Sequence, residues 1–450
     1  MFKINSMKLS LTLIALLVFT FGYSQKELNT KLEQYMDAQF AINDFSGTVL
    51  VSKNDSLLLK KAYGFANYEW KVKNVIDSKF SLASVSKQFT AVAILQLAED
   101  KKLSLDDNLS KYFAGFTKGD KITLKMMLTH NSGFAMDFDE LYLTKTNLDK
   151  DSVYAYLAKK PLLFEPGTST AYSNIGYYLL ARIIEKVSGE SYSAYLQQNL
   201  FDKAKMYNSG VSSNDAIVDK MAQSYYFDNS KSDKDKLVKN PYINWNFNFG
   251  HDGVYSTVED LNLWNKALFE SQTLLSEESK KKMFTSYNEQ NFGFGLIINP
   301  FYNQNHQLIA HDGGFLGAMT SFNKFPDDKV FITVLSNNQS KSYYIAYGLA
   351  GICFGKDVEL PYKHIQTEID TKVYDQYIGE YENIKILKKG NKLYYTDFDI
   401  ELLPESQTKF FRSDNNNTTI EFVKNKKGKI TQLEIKKAGI KEVKNKTKGV

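Results

Sequence analysis

The stretch Phe80–Leu97, FSLASVSKQFTAVAILQL, constrains the fold more than any other part of the chain. It opens as a short β-like run and is expected to become a helix at Ser84. Ala91, Ile94, Leu95 and Ala98 then recur at helical spacing, which gives the helix a strongly apolar face suited to burial. Ser84 falls at the helix start, where unpaired backbone N–H groups and the positive end of the dipole favour a developing anion. Lys87 lies one turn on, within reach of the Ser84 hydroxyl. A serine becomes a useful nucleophile when a base takes its proton, and a lysine held out of water is neutral enough to act as that base. The pattern is cheap on its own, because Ser279–Lys282 repeats it inside the charged run SEESKKK.

The rest of the composition narrows the classes of function. Lys3 and Lys8 precede the apolar run Leu9–Phe21, which ends in Gly22, Tyr23 and Ser24. That run is short for a membrane span and fits a secretory signal over residues 1–24, with an uncleaved anchor as the alternative. The expected mature protein is therefore periplasmic or secreted and carries no membrane span. Cys353 is the one cysteine, so there is neither a disulfide framework nor an N-terminal cysteine to carry a lipid. A formal net charge of +5 over 450 residues, without a basic stripe interleaved with aromatics, argues against a nucleic-acid partner. Arg182 and Arg412 are the only arginines, which leaves few candidates for a bidentate carboxylate clamp.

Taken in order, Leu28, Leu32, Tyr35, Met36 and Phe40 mark an amphipathic first helix. Gly47–Ser52 and Leu57–Ala62 read as a β-hairpin across Lys53, Asn54 and Asp55. MMLTHNSGF, Met126–Phe134, runs from a helix end into a turn, and no second ligand at metal spacing accompanies His130, so a structural role is expected for it. The loop FEPGTSTAYSN, Phe164–Asn174, leads straight into a helix that Gly189 stops. Tyr172 and Asn174, two residues apart, point the same way if that strip is extended. GHDGVYSTVEDLNLW forms a glycine turn and a helix capped by Ser256 or Thr257. Phe292–Ile298, Gln307–His311, Ala318–Phe322 and Val330–Leu335 read as strands, and AHDGGFLG, Ala310–Gly317, places glycines where a backbone has to come close to another group. Tyr343–Phe354 reads as a buried helix. Strands flanked by helices indicate an α+β domain over residues 25–360. After Pro361 the texture changes to six short strands broken by KKGN, NNN and KNKKGK, an all-β meander or small barrel over residues 361–450.

Ser84-Val-Ser-Lys87, Tyr172-Ser-Asn174 and His311-Asp-Gly313, in this order, resemble the three motifs of the serine β-lactamase and penicillin-binding superfamily. The branch most similar holds class C β-lactamases, D-Ala-D-Ala carboxypeptidases, D-aminopeptidases and related esterases. LTHNSG, FEPGTSTAYSN and GVYSTVEDL resemble supporting strips of the family, and the likeness runs from about Lys26 to Phe354. It implies a β-lactamase/transpeptidase-like fold, an antiparallel sheet flanked by helices with a helical subdomain. It also implies that Ser84 forms an acyl-enzyme and that Lys87 and Tyr172 share the acid–base work, with the order of proton transfer between them open. Asn174 would orient the substrate, and the backbone N–H groups of Ser84 and Gly314, beside His311 and Gly313, would form the oxyanion and substrate strand. No metal or other cofactor is implied. The expected partner is a small molecule or short peptide, such as a cell-wall fragment. One position departs from the class C pattern: His311 stands where those enzymes carry lysine. A mostly neutral imidazole holds a free carboxylate less well than an ammonium does. This favours peptide, amide or ester substrates over efficient β-lactam hydrolysis, and leaves a slow penicillin-binding or sensor protein as the alternative. His251-Asp252-Gly253 also spells His-x-Gly, but it precedes a helix and is expected to shape that turn.

Overall fold

The computed structural model describes residues 25–42, 45–137, 149–228, 230–231, 236–247, 249–300, 302–395 and 399–448. The secretory signal expected over residues 1–24 lies outside them. GTVLVSK at Gly47–Lys53 (β1) is almost wholly apolar or small and is buried along nearly its whole length, as suits a central strand. It pairs antiparallel with Ser56–Tyr63 (β2) on one side and, across most of the chain, with Val330–Ser336 (β6) on the other. With Ile297–Ile298 (β3), Ile309–Phe315 (β4) and Ala318–Phe325 (β5) these form an antiparallel sheet of order β3-β4-β5-β6-β1-β2. The pairing of β3 with β4 ends at Ala310, so among the described residues the run from His311 onward has no strand beyond it on that side.

The central helix α1 spans Lys87–Glu99 and is buried from Lys87 through Leu97. The sequence pattern foresees one apolar face, whereas the fold surrounds the whole helix. Its polar side chains are accommodated because each finds a partner. The Trp264 Nε1 donates to Gln88 Oε1 at 2.6 Å, Thr90 Oγ1 donates to the Gly250 carbonyl at 2.5 Å, and Gln96 Nε2 donates to the Leu274 carbonyl at 3.1 Å. The helix begins three residues later than expected. Ala83–Ser86 forms a 3-10 turn that carries Ser84, and it follows the two-residue strand Phe80–Ser81.

Two further helices frame this unit. Asn174–Ser188 (α2) starts at Ser173, whose side chain accepts from the Gly176 N–H, and ends at Gly189 in the left-handed conformation, as the sequence leads one to expect. Val258–Phe269 (α3) is capped by Thr257, which accepts from the Asp260 N–H. These elements belong to a compact unit over residues Phe45–Ala346.

The second compact unit joins the chain before Phe45 to residues Tyr347–Val450. Its helix over residues 25–41 lies against the far half of the helix Ser342–Cys353 (α4), so closely that a Cβ on Gly348 would sit 2.2 Å from the Tyr35 hydroxyl. Eight strands, from Gly379–Tyr381 to Ile440–Lys448, close into a barrel when Glu380 pairs with Lys448. This all-β unit has two strands more than the sequence suggests, the first and the last. Tyr377, Tyr381, Phe410 and Phe422 fill the interior, with Tyr377 stacked on Phe422 at 4.0 Å between centroids.

Candidate active site

The site is built where three backbones converge on the start of α1. Ala83 has φ 47, a left-handed conformation that costs a non-glycine residue about 1–3 kcal/mol and turns the chain from strand into the 3-10 turn. Strand β4 passes directly beside it. A Cβ on Gly313 would lie 2.3 Å from the Leu82 carbonyl and 3.1 Å from the Ala83 Cβ, so only glycine lets the strand approach this closely. Thr320 Oγ1 on the next strand donates to the same Leu82 carbonyl at 2.7 Å. The turn that carries Ser84 is thus tied to the β4–β5 pair, and Ser84 itself is partly open to solvent.

Lys87 is fully buried, and its three N–H donors are all used. Nζ reaches Ser84 Oγ at 3.0 Å, Asn174 Oδ1 at 2.7 Å and the His251 carbonyl at 3.1 Å. The Tyr172 ring adds a cation–π contact, with Nζ 4.7 Å from its centroid. Three acceptors and an aromatic face hold a charged ammonium. Burial opposes that charge and brings the lysine down to about 8, while Asp252 and Asp137 pull it partly back. About one lysine in ten is then neutral at pH 7.

Tyr172 comes within hydrogen-bonding reach of Ser84, and burial raises its phenol well above the ordinary tyrosine range despite that bond. A neutral phenol is therefore its resting state, and Lys87 is the more accessible base of the two. His130 stacks on the Tyr172 ring at 4.4 Å, and its Nδ1 accepts from the Ser173 N–H at 3.0 Å. Its structural role in holding the Tyr172–Asn174 strip matches the sequence reading.

Asn174 is brought to the site, but its amide is already committed, with Oδ1 on Lys87 and Nδ2 donating to Asp137 at 2.5 Å. It orients the lysine here, beside the substrate role that the resemblance implies for it. His311 lies buried on β4, with its ring 6.2 Å from that of Tyr172. Its Nδ1 stands 2.6 Å from the Asp312 carbonyl, which can only accept, so Nδ1 carries the proton and Nε2 presents a lone pair. Burial, followed by the Lys87 charge, lowers this imidazole to about 3, which keeps it neutral. Gly314, the other residue of the strand motif, is exposed on the part of β4 that lacks a neighbour beyond Ala310. Arg182 takes no part: it pairs with Glu185 at 2.7 Å and lies 3.9 Å over the Phe249 ring.

Sequence reasoning misses two residues, Asp137 and Asp252. Asp137 carries no local signal. Asp252 belongs to the His251-Asp252-Gly253 run, which in the sequence stands only as a rival to the third motif. Among the described residues no cluster of His, Cys, Asp and Glu could hold a metal ion, and no helix is long and apolar enough to cross a membrane.

A strained serine turn, a buried lysine with a half-buried tyrosine beside it, and a glycine-bearing edge strand against it define a protein of the serine β-lactamase and penicillin-binding type. The chain belongs to the Beta-lactamase family, whose description matches residues 29–347. It is 28% identical over 403 residues to penicillin-binding protein 4* of Bacillus subtilis, covering 82% of this chain and 88% of that one. A penicillin-binding protein from Bacillus halodurans superposes with TM-score 0.63 at 27% identity over 71% of this chain and 98% of its own. An octameric penicillin-binding protein homologue from Pyrococcus abyssi shares the fold, with TM-score 0.66 at 24% identity over 92% of this chain and 99% of its own.

Proposed function

We propose that the protein is an exported serine hydrolase that acylates on Ser84 and cleaves amide, peptide or ester bonds, including those of small cell-wall-derived peptides. The observation that carries this reading is the fully buried Lys87, 3.0 Å from Ser84 Oγ and brought down to about 8. Neutral Lys87 takes the Ser84 proton as Oγ attacks the carbonyl carbon. The backbone N–H groups of Ser84 and Gly314 receive the oxyanion, and loss of one such donor typically costs about 2.7–4 kcal/mol. Tyr172, a neutral phenol beside Ser84, passes a proton to the leaving nitrogen or oxygen as its bond to the carbonyl carbon breaks. The Lys87 ammonium returns its proton to the Tyr172 phenolate. Water then attacks the acyl-enzyme as Lys87 accepts its proton, and that proton passes to Ser84 Oγ as the acyl bond breaks and the acid leaves. The neutral His311 and the Arg182–Glu185 pair support substrates without a free carboxylate at the third-motif subsite.

Intact-mass spectrometry after exposure to a fluorophosphonate tests this, with Ser84→Ala alongside. One adduct that disappears in the variant is expected. Folded wild-type protein that gives no adduct, or a variant that keeps it, overturns the reading. A labelled penicillin forms the second arm, since relatives named for penicillin binding support slow deacylation as the other outcome. Slow or absent nitrocefin turnover is expected. Export rests on the residues before Gln25, and an N-terminus of the mature protein near Ser24–Gln25 is the expected result.

A further inference from the structure

The segment Gly250–Val254 is held along the first turn of α1 by successive contacts. Thr90 Oγ1 donates to the Gly250 carbonyl at 2.5 Å, Lys87 Nζ to the His251 carbonyl at 3.1 Å, and the Val254 N–H to Ser86 Oγ at 3.1 Å. Gly250 and Gly253 supply the left-handed positions, with φ 87 and 88, so the turn does not depend on a side chain at Asp252 for its shape. Yet Asp252 places a carboxylate there that is only 4% exposed. Its Oδ2 lies 3.4 Å from His251 Nδ1, and its Oδ1 is buried with no hydrogen-bond partner among the described residues. An aspartate that merely closed a turn would bond a backbone N–H with that oxygen. A buried carboxylate left half-unbonded is costly unless a nearby charge holds it.

We propose that Asp252 is a positioning residue for the acylation base, a fixed buried counter-charge that sets the fraction of Lys87 available as free amine. This rests on the reading of Lys87 as the base of a serine hydrolase. The other groups facing Lys87 do not take over the role. Asp137 bonds the Asn174 amide and ranks after Asp252 in raising Lys87; Tyr172 and Tyr177 present ring faces; His130 is neutral and bonded to Ser173; and His311 is neutral with Nε2 unprotonated. The His251 ring lies against Asp252 itself, Nδ1 3.4 Å from Oδ2, with Nε2 3.3 Å from the Phe247 carbonyl. Asp252 is also the first of the two carboxylates that raise Lys87 against its burial. With that charge removed, Lys87 loses its proton more readily and the base is free at lower pH.

The test compares wild type, Asp252→Asn and Asp252→Glu as full chains, using hydrolysis of a p-nitrophenyl ester and 13C-methylene NMR of Lys87. In Asp252→Asn the acidic limb of kcat/KM and the Lys87 titration both move to lower pH, by roughly one unit. Asp252→Glu restores them toward wild type. A folded Asp252→Asn whose rate falls at every pH, with the Lys87 titration unmoved, assigns Asp252 a packing role and overturns the proposal. If Asp252→Asn does not fold, the wild-type 13C-carboxyl resonance of Asp252 decides. A second inflection at the Lys87 midpoint supports the coupling, and its absence refutes it. The NMR arm needs no turnover. Failure of the hydrolase reading, seen as no fluorophosphonate adduct, is therefore distinct from failure of this one, seen as an adduct with an unmoved Lys87.

Discussion

Lysine is used in opposite ways in the two compact units. In the barrel it lies at the surface beside carboxylates: Lys392 reaches Glu401 at 2.7 Å with its side chain 55% exposed. The barrel interior is left to aliphatic and aromatic side chains, and the buried Tyr381 hydroxyl donates to a backbone carbonyl, that of Tyr377, at 2.9 Å. In the unit over Phe45–Ala346 one lysine, Lys87, is fully inside, among two carboxylates, a serine and an amide. The barrel is arranged for stability in the ordinary way, apolar within and charged without. The unit over Phe45–Ala346 accepts an unfavourable buried ion, and that ion lies 3.0 Å from a serine hydroxyl. Natural proteins break such packing rules mainly at functional sites.

The sharpest way to break this contrast is Lys87→Met, which keeps volume and apolar packing but removes the base. We expect kcat/KM toward an activated ester to fall by roughly 10²–10⁴ while the circular dichroism stays that of wild type. Retained activity would mean that the buried lysine is only structural. Next in size is Phe422→Ala in the barrel, whose ring lies between Tyr377 at 4.0 Å and Phe410 at 5.5 Å. Urea denaturation should show a loss of about 3–5 kcal/mol. Because Trp70, Trp245 and Trp264 all belong to the unit over Phe45–Ala346, their fluorescence follows that unit separately. A kcat/KM that stays near wild type below the transition would keep the two roles apart.

The buried ion also leaves a mark on stability. Lys87 titrates near 8 when folded against 10.5 for an ordinary lysine. Below 8 both states are protonated, and the folded state bears the full burial cost. As pH rises from there to 10.5 the unfolded chain holds more protons than the folded one, so stability climbs. Above 10.5 the contribution is gone. The climb amounts to about 3 kcal/mol, at 1.36 kcal/mol per unit. Across this window the unfolding free energy of wild type should rise relative to that of Lys87→Met by that much, and parallel curves would refute the shifted lysine.

How much of this could be read in advance follows from how local each signal is. Ser84 and Lys87 share one helical turn, Tyr172 and Asn174 one strip, and His311 and Gly313 one strand, so order and spacing exposed them. The close approach demanded of Gly313 was legible as a glycine at a strand edge. Asp137 and Asp252 had no such mark, because each matters only through the tertiary fold that brings it to Lys87 and Asn174. Weighing His251 against His311 as alternatives missed that the fold uses both, the ring of one and the carbonyl of the other. The barrel's last strand, Ile440–Lys448, was hidden because IKEVKNKTK reads as a charged run. Its pairing with Gly379–Tyr381 is a closure between distant residues that no local period reveals.

The smallest effect is the finest probe, because the same deletion can be made in both units. Ser173 Oγ accepts from the Gly176 N–H at 3.2 Å at the start of α2, and Asp370 accepts from the Lys372 N–H at 3.0 Å beside the barrel. Replacing either by alanine removes one helix cap, worth about 1 kcal/mol. The shift in urea midpoint should be larger for Ser173→Ala, which also loses its bond to the Ala135 carbonyl at a buried position, than for the exposed Asp370→Ala. The rates should differ. Ser173 Oγ also donates to the Ala135 carbonyl at 2.8 Å, and its own N–H is bonded to His130, so its loss loosens the strip that aims Tyr172 and Asn174. Small misplacements of this kind cost roughly ten- to a hundredfold in rate, and Ser173→Ala should show it in kcat, with Asp370→Ala unchanged. Equal rates in the two variants would mean that the site tolerates a loose frame, and that the contrast between the units lies in the charge of Lys87 alone.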